Sequence, residues 1–433
     1  MVNFSERSSG AAATPNTVAL AEQRARSGGV ELLNLSDSNP TRLGLAPAVL
    51  PQVYRADPRG PLSAREMLAH YISTERRHAV PAAQLYLLSS TSQAYAWLMQ
   101  LLCDPGDIVL APAPGYPLVE QIARLSDVQV RYYRLGLHEG WAIDTAHLEQ
   151  LLAEHASDGG SSEAVCQRGD VAPKIAGTQG VPAVLTAHQR GRVRAVVVIN
   201  PGNPTGTYTH HFERERLVEL CARYGVALIS DEVFFNYPLM SARSTAPSAA
   251  AGAASPVRLS GDARVLTFGI DGLSKNLAAP GAKVAWIQVS GPLPDVREAQ
   301  MRLDGIADTF LPMSDIICAQ LPQLLNEIPA QQEVVRCRCL TNLAALRELV
   351  SREPSGVASV LEPEGGWSAL LRFPATIAED ELITALIQRG ITAQPGYFFD
   401  MPIPGFVSIS LLLEPDRFRM GVELLLAEIA RRA

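Results

Sequence analysis

Short apolar runs separated by helical stretches dominate the chain from about residue 83 to residue 290. The runs are rich in Val, Ile and Leu, and they lie at 107–112, 194–200, 226–231, 264–270 and 283–289. Continuous apolar runs of this length are typical of strands buried on both faces of a sheet, and helical segments between them are typical of parallel connections. The pattern therefore predicts an α/β fold with a mostly parallel sheet and helices on both faces.

The pattern changes after residue 290. Long helical runs occupy 295–327 and 329–352, and the chain closes with an amphipathic helix at 415–432. Short apolar runs that predict strands lie between them, at 368–373, 391–395 and 406–413. This part of the chain predicts a second, smaller α+β layer.

The length predicts two domains, because 433 residues are too many for one ordinary hydrophobic core. We expect an N-terminal arm and part of a small domain in 1–50, a large ligand-binding domain in 51–290, and a small C-terminal domain in 291–433. Segments 154–185 and 240–263 are rich in Gly, Ser and Ala. They predict exposed loops or partly disordered insertions.

The charge balance argues against nucleic acid and anionic membranes as partners. The formal net charge is −7 and the pI is about 5.7, and no basic stripe interleaved with aromatic residues occurs. No apolar run is long enough to span a bilayer, and the first twenty residues lack the apolar segment of a secretion signal. We therefore expect a cytoplasmic protein that acts on small molecules.

Cysteine and histidine usage predicts no metal site. The six cysteines are scattered without a C-x-x-C pair, and the eight histidines include no H-x-x-x-H on a convincing helix. The cysteines are expected to be reduced packing residues.

Polar residues follow two of the predicted strands. Asn203 lies in the turn INPGNPTG after the strand 194–200, and Asp231 ends the strand 226–231. Side chains at the carboxyl ends of parallel strands line the ligand crevice of an open α/β sheet, so both are placed to bind a ligand. Turn chemistry is an equal alternative for the asparagine, and capping of the next element is the alternative for the aspartate.

Two further segments carry groups suited to a phosphorylated, flat ligand. Ser89, Ser90 and Thr91 precede the helical run of LLSSTSQAYAWLMQLL, and a helix N-terminus with hydroxyl groups is a natural phosphate site. Simple N-capping is the alternative. Tyr116 lies in the turn APAPGYP, where its ring either faces a flat ligand or packs internally.

Lysine is rare in this chain, yet two lysines occur in DGLSKNLAAPGAKVAW. Only Lys174, Lys275 and Lys283 are present, among 37 lysines and arginines. Lys275 follows a predicted strand and has small neighbours, which gives an amine the desolvation and the lowered pKa that Schiff-base chemistry requires. Arginine cannot replace it, because a guanidinium stays charged and forms no imine.

In this order and spacing, the motifs resemble the class I/II aminotransferases, which are pyridoxal 5′-phosphate (PLP) enzymes of fold type I. The resemblance runs from SDSNPTR at 36–42 to the C-terminus. It implies that Lys275 forms the internal aldimine with PLP and then moves the substrate proton. It also implies that Asp231 pairs with the pyridine nitrogen and that Tyr116 stacks on the ring.

The resemblance implies further cofactor contacts. Asn203 matches the residue that contacts the ring hydroxyl, and Lys283 matches a basic residue, usually arginine, that binds the phosphate. The phosphate turn of the family falls on Ser89, Ser90 and Thr91. Tyr54, in YRADPRG, matches a tyrosine that reaches the phosphate of the neighbouring subunit's cofactor, which implies a homodimer with shared sites.

Four positions depart from the family pattern. Ser90 replaces a glycine, Gly272 replaces a serine, Phe234 replaces a tyrosine that donates to the ring oxygen, and Ser408 replaces the arginine that holds the substrate α-carboxylate. We expect Ser90 to supply the hydroxyl that Gly272 lacks. We also expect the missing donor at position 234 to raise the aldimine pKa.

Substrate recognition is predicted from three matched positions. Asn39 and Arg42 belong to the segment that passes over the substrate in this family, and Trp367 borders the pocket. Arg42 or Arg372 is a candidate replacement for the missing arginine, with a solvated surface role as the alternative. Trp367 favours an apolar or aromatic substrate side chain, and a packing role is equally open.

The predicted function is transfer of an amino group between an amino acid and a 2-oxo acid. Elimination, cyclisation or other lyase chemistry on the same cofactor is the alternative, because the carboxylate anchor decides which substrate bond breaks.

Overall fold

Strands and helices alternate along the described part of the chain, which in this computed structural model comprises residues 16–37, 57–155, 191–240, 256–311 and 313–433. The strands in these ranges are β1 (Leu33–Asn34), β2 (Leu85–Leu88), β3 (Ile108–Ala113), β4 (Gln129–Gly136), β5 (Ala142–Ile143), β6 (Val193–Ile199), β7 (Ala227–Asp231), β8 (Thr267–Gly272), β9 (Ala285–Ser290), β10 (Ser359–Leu361), β11 (Ser368–Arg372), β12 (Ile391–Thr392), β13 (Gln394–Pro395) and β14 (Phe406–Ser410).

The α-helices cover most of the remaining described chain. They are α1 (Thr17–Ser27), α2 (Leu62–Arg76), α3 (Thr91–Leu102), α4 (Leu118–Leu125), α5 (Thr145–Glu154), α6 (His211–Tyr224), α7 (Leu273–Asn276), α8 (Leu293–Phe310), α9 (Asp315–Arg352), α10 (Glu379–Gln388) and α11 (Pro415–Arg432). The closing helix predicted at 415–432 is α11, so that prediction is confirmed.

The large sheet has eight described strands in the order β2-β9-β8-β7-β6-β3-β4-β5. The pairs β4-β3, β3-β6, β6-β7 and β7-β8 are parallel, whereas β9 is antiparallel to β8 and β2, and β5 is antiparallel to β4. The five predicted apolar runs correspond to β3, β6, β7, β8 and β9, within about three residues at each end. The prediction of a mostly parallel sheet is confirmed.

Helices cover both faces of this sheet. Along β3, Val109 and Ala111 belong to an apolar core shared with α3, α4 and α8, whereas Ile108 and Leu110 belong to a core shared with α5 and α6. Successive side chains of a strand point to opposite faces, so the two cores lie on the two faces of the sheet. The α/β architecture predicted from the continuous apolar runs is confirmed.

The small sheet has four described strands, antiparallel, in the order β10-β11-β14-β13. Its apolar core includes buried residues of α10, α11 and the C-terminal half of α9. Leu33 and Leu35 from the N-terminal segment pack in the same core, and β1 pairs with β12. The N-terminal segment therefore completes the smaller α+β layer.

The predicted helix break at residue 328 is wrong. The break lies at 311–314: Leu311, at φ 65°, follows the end of α8, and α9 then continues through Pro322 and Pro329. Residues of the first half of α9 pack in the core of α2 and β2, and residues of the second half pack in the core of the small sheet. This packing outweighs the cost of roughly 3 kcal/mol for a proline inside a helix.

The structure bears differently on the two segments predicted to be exposed loops or insertions. Segment 154–185 lies outside the described residues except for its first two. The described end of segment 240–263 is not an exposed loop, because Leu259 and Ser260 are buried and their backbone N–H groups each donate to the buried carboxylate of Glu232 at 2.9 Å. Among the described helices, none has the length and apolar character of a bilayer-spanning segment.

Candidate active site

A cavity of about 310 Å³ lies where β6, β7 and β8 end, between the large sheet and the small sheet. Its described lining includes six of the predicted site residues, namely Thr91, Tyr116, Asn203, Asp231, Lys275 and Trp367. These residues are up to 276 positions apart in the chain (91 to 367), and the fold brings them to one place. The size is that of a small-molecule site.

The backbone around Lys275 is fixed on two sides. β8 ends at Gly272, the backbone N–H of Leu273 donates to the carbonyl of Val284 at 2.8 Å, and Tyr237 Oη donates to the carbonyl of Lys275 at 2.6 Å. A Cβ atom at Gly272 would lie 2.8 Å from the backbone oxygen of Val284. The close approach of Val284 and Ala285 therefore favours glycine at position 272, where the family resemblance implies a serine.

The amine of Lys275 lies in aromatic surroundings. Its Nζ is 5.2 Å from the ring centroid of Phe234 and 5.0 Å from that of Trp367. Burial lowers its pKa from 10.5 to about 8, although the charge of Asp231 acts in the opposite direction. Since a neutral amine is the nucleophile in imine formation, this environment prepares Lys275 to attack a carbonyl near neutral pH.

Asp231 is the buried anion of the cavity, and it lies at the end of β7. Its Oδ2 accepts a hydrogen bond of 3.0 Å from the hydroxyl of Tyr95, and its Oδ1 accepts one of 3.3 Å from the backbone N–H of Val233. Burial raises its pKa from 3.8 to about 6, whereas the two hydrogen bonds and Lys275 act to lower it. A cationic ring nitrogen would relieve the remaining cost of the buried charge.

The sequence reasoning missed Tyr95. It lines the cavity, is 2% exposed and lies on α3 one turn after Thr91. Residues four apart on a helix share a face, so the spacing TSQAY was a signal that Thr91 and Tyr95 point to the same side.

Some hydroxyl groups at the start of α3 line the cavity, and others form hydrogen bonds that cap the helix. Thr91 and Ser92 line the cavity, together with Ser274 beside Lys275. Ser90 is the N-cap, with its Oγ accepting from the N–H of Gln93 at 3.1 Å, and Ser89 donates to the side chain of Gln93 at 2.7 Å. Ser92 and Ser274 were not singled out from the sequence.

Lys283 and Ser89 line a neighbouring groove rather than the cavity itself. Lys283 is exposed, and the same groove includes Phe310 and Leu311 from the end of α8. The predicted phosphate contacts from Ser89, Ser90 and Lys283 therefore stay predictions. Tyr54, Asn39 and Arg42 lie outside the described residues.

The turn after β6 uses its two asparagines differently. Asn200 supports the turn, since its Oδ1 accepts from the N–H of Thr209 at 2.9 Å and its Nδ2 donates to the carbonyl of Val257 at 2.8 Å. Asn203 lines the cavity. Turn chemistry therefore describes the first asparagine, whereas the second is available to a ligand.

The small sheet supplies the opposite wall. Trp367 is buried and packs edge-on against Phe234, with ring centroids 5.4 Å apart. The remaining lining on this side consists of aromatic rings, hydroxyl groups and one amide, from Ser36, Ser368, Gln394, Phe398, Phe399, Ser408 and Ser410. Arg372 is exposed and does not belong to the described lining.

A loop at 362–366 connects this wall to the turn that carries Asn203. The carboxylate of Glu364 accepts from the backbone N–H of Tyr208 at 2.7 Å and lies 3.1 Å from Nε2 of His210. The backbone N–H of Glu364 donates to the carbonyl of Gly206 at 3.0 Å. Hydrogen bonds from the His210 ring to the carboxylates of Glu213 and Glu364 raise the pKa of His210 to about 10, so its imidazole is protonated at neutral pH.

The residues present fit PLP. The cavity offers hydroxyl groups at a helix N-terminus for a phosphate, an exposed tyrosine ring for a flat face, a buried carboxylate for a ring nitrogen and a desolvated amine for an aldehyde. Within the described residues, no cluster of three or more His, Cys, Asp or Glu side chains is arranged to hold a metal ion.

Comparison with known families decides the assignment. The family model described as "Aminotransferase class I and II" matches residues 55–425. The chain belongs to this family. The predictions of the family, of an enzyme and of PLP as its cofactor are confirmed, since the class I and II aminotransferases use PLP.

Individual relatives are distant. Nicotianamine aminotransferase 1 of Oryza sativa subsp. japonica is 24% identical over 268 residues, which are 61% of this chain and 44% of that protein. The glutamate-pyruvate aminotransferase AlaA of Escherichia coli (strain K12) is 24% identical over 431 residues, covering 93% of this chain and 90% of that protein. The chain spans 40% to 66% of the plant relatives it matches.

The fold is that of solved aminotransferases. An aminotransferase from Escherichia coli superposes with a TM-score of 0.73 at 20% identity, over 100% of this chain and 98% of that chain. The fold prediction is therefore confirmed.

Proposed function

We propose that this protein transfers an amino group between an amino acid and a 2-oxo acid, with PLP joined to Lys275. The observation that carries the proposal is the single cavity that holds the desolvated amine of Lys275 and the buried carboxylate of Asp231. Family membership supports it. Elimination or cyclisation on the same cofactor is the competing reaction.

The polar and aromatic residues around Lys275 have distinct roles in this proposal. Bound PLP supplies an electron sink for the carbanion formed at the substrate Cα. Lys275 moves the proton at that carbon, and Asp231 holds a positive charge at the ring nitrogen. Tyr116 would contact the face of the ring, and Asn203 would contact its hydroxyl group. The hydroxyl groups of Thr91, Ser92 and Ser274 and the N-terminus of α3 would hold the phosphate.

The proposed amino donor has an apolar or aromatic side chain. Trp367, Phe234, Phe398 and Phe399 on the cavity wall support this choice. We propose Arg42 as the anchor of the α-carboxylate, since Ser408 is neutral. A donor screen tests this proposal: Arg42→Gln should raise KM for carboxylate donors, whereas Arg372→Gln should not.

We also propose the predicted division into domains and a homodimer with shared sites. The large sheet is built from 85–290 and the small sheet from 359–410, which supports a boundary near 290. Phe310 and Leu311, 50% and 68% exposed, line the groove beside the phosphate end of the cavity, which supports a second subunit there. The cytoplasmic location stays a prediction.

The absorbance spectrum of the holoenzyme tests the proposed reaction. On addition of an amino acid without oxo acid, the band of the lysine-bound cofactor should disappear and the band of the amine form of the cofactor should grow. Borohydride reduction of the untreated holoenzyme should fix a pyridoxyl group on the peptide that contains Lys275.

Two results would contradict the proposal. Release of pyruvate and ammonia without the amine form would favour elimination. A pyridoxyl group on a peptide other than that of Lys275 would remove the basis of the site. Lys174→Arg is the control and should label and react like the wild type, whereas Lys275→Arg should do neither.

A further inference from the structure

The hydroxyl of Tyr95 contacts the buried acid of the site directly. It donates to Oδ2 of Asp231 at 3.0 Å, and both residues are buried. We propose that Tyr95 is a positioning residue that keeps Asp231 ionised and fixes its carboxylate toward the ring nitrogen of the cofactor. This inference rests on the proposed function, because it assigns Tyr95 to the same cofactor site.

The groups around Asp231 act in opposite directions on its ionisation, and Tyr95 is one of those that favour the anion. Burial and the neighbouring charge of Glu232 both favour the protonated acid, whereas the N–H of Val233, Tyr95 and Lys275 favour the anion. Tyr116, across the cavity, also interacts with the charge of Asp231. Of the two hydrogen bonds to the carboxylate, the one from Tyr95 is the shorter, at 3.0 Å against 3.3 Å from Val233.

Tyr95 is suited to act only as a donor. Burial and the adjacent Asp231 raise its pKa well above the ordinary value, so the phenol keeps its proton. The two donors hold different oxygens of the carboxylate, Tyr95 at Oδ2 and Val233 at Oδ1. Because the terminal torsion of an aspartate is broad, two fixed donors are needed to orient its plane.

The position of Tyr95 on α3 links the two ends of the cofactor site. Thr91 lines the cavity in the first turn of the same helix. Four residues along a helix correspond to about 6 Å of rise, so one rigid element sets the separation between the hydroxyl at the phosphate end and the donor to Asp231. The helix therefore fixes both groups with one backbone.

Tyr95→Phe tests the inference, with Tyr86→Phe as the matched control. Tyr86 is also buried and also donates to a carboxylate, Asp304 Oδ1 at 2.6 Å, away from the cavity. The measurement is the dissociation constant of PLP from the full chain, titrated into cofactor-depleted protein across pH 5 to 9. A hydrogen bond to a charged group contributes enough free energy that Tyr95→Phe should weaken PLP binding by about tenfold or more at pH 7.

The pH dependence separates electrostatics from packing. Because Tyr95 lowers the pKa of Asp231, its removal should move the low-pH loss of PLP affinity to higher pH. Tyr86→Phe should leave both the affinity and the inflection at the wild-type values. Wild-type affinity and inflection in Tyr95→Phe would overturn the inference.

A double-mutant cycle tests whether Tyr95 acts through Asp231. In an Asp231→Asn background, the further change Tyr95→Phe should have little effect on PLP affinity, because the carboxylate that it supports is gone. An equal loss in both backgrounds would overturn the inference and assign Tyr95 a packing role. If the wild type itself bound no PLP, the proposed function would fail instead.

Discussion

Burial opposes the positive charge of Lys275. The rings of Phe234 and Trp367 lie about 5 Å from its Nζ, and burial lowers its pKa to about 8. The family resemblance implies a tyrosine at the position of Phe234, so the expected hydroxyl donor to the ring oxygen is absent and the amine has an apolar neighbour instead. The expected rise of the aldimine pKa from this loss stays a prediction.

The reconstitution rate of the cofactor-depleted protein tests the lowered pKa of Lys275. Because only the neutral amine attacks an aldehyde, the rate of covalent PLP attachment should rise with pH and level off above about pH 8, rather than above 10.5. Asp231 raises this pKa, so Asp231→Asn should move the inflection to lower pH. Stopped-flow absorbance measures both, and an inflection above pH 10 would contradict the desolvation of Lys275.

The stability effect of Lys275 has a defined sign. Its pKa is lowered in the folded state, so the unfolded chain binds the proton more tightly between about pH 8 and pH 10.5. The buried amine therefore lowers the free energy of unfolding by its full amount below about pH 8, and this effect disappears as the pH rises through 10.5.

The site residues that belong to sequence motifs could be predicted from the sequence. Those placed in the site only by the packing of the fold could not. Lys275, Asp231 and Asn203 follow strands, so their approach to one crevice could be predicted. Tyr95 could not be recognised from a motif, because a tyrosine inside an amphipathic helix is typical of the core. Its hydrogen bond depends on how α3 crosses the end of β7, which only the fold determines.

At the level of elements, the loop 362–366 joins the substrate wall to the cofactor turn. Glu364 holds the backbone of Tyr208 and pairs with His210, and Trp367 follows three residues later. A Cβ at Gly206, φ 71°, would lie 2.6 Å from Pro363, so the turn and the loop are in close contact. An ion pair outside the cavity therefore helps to hold the loop that leads to Trp367.

Glu364→Gln should change substrate selectivity. It removes the charge that pairs with His210, so the loop that leads to Trp367 should be held less firmly and KM for aromatic donors should rise by about tenfold, with a smaller effect on small donors. The measurement is the ratio of kcat/KM for an aromatic and a small amino donor.

Glu362→Gln is the matched control. Glu362 lies two residues earlier, is exposed and pairs with Arg347 on the surface. Its loss should leave the ratio unchanged, because surface ion pairs contribute little. An unchanged ratio in Glu364→Gln, with only a lower Tm, would mean that the ion pair has no role in recognition.

For the whole molecule, the proposed homodimer predicts complementation between inactive subunits. Lys275→Ala and Tyr54→Ala proteins, dissociated and mixed, should form hybrids in which Lys275 of one subunit meets Tyr54 of the other. Random pairing gives one intact site in half of the dimers, so about a quarter of wild-type activity should return.

The control mixes Tyr54→Ala with the double variant that carries both changes. No activity above that of Tyr54→Ala alone should appear there. If the first mixture showed no gain either, Tyr54 would act within its own subunit or not at all.

The layers of the fold could be predicted from the sequence, but one helix boundary could not. Apolar runs identify β3, β6, β7, β8 and β9 because strands buried on both faces require continuous apolar residues. The helical runs at 295–327 and 329–352 predict a break at residue 328, yet tertiary packing on both sides of Pro329 keeps the helix continuous. The true break, at 311–314, has no strong local signal except Pro312.

Pro329 marks a border inside α9. Ile328 and the apolar residues before it pack with α2 and β2, whereas Val335 and those after it pack with the small sheet. A proline has no N–H to donate, so the helix is weakest at the point where it passes from one core to the other. One continuous helix therefore connects the core of α2 and β2 to the core of the small sheet, which includes Trp367. Gln332, three residues beyond Pro329, donates to Oδ1 of Asn276 at 3.0 Å, so the part of α9 that packs with the small sheet also contacts the residue beside the reactive lysine.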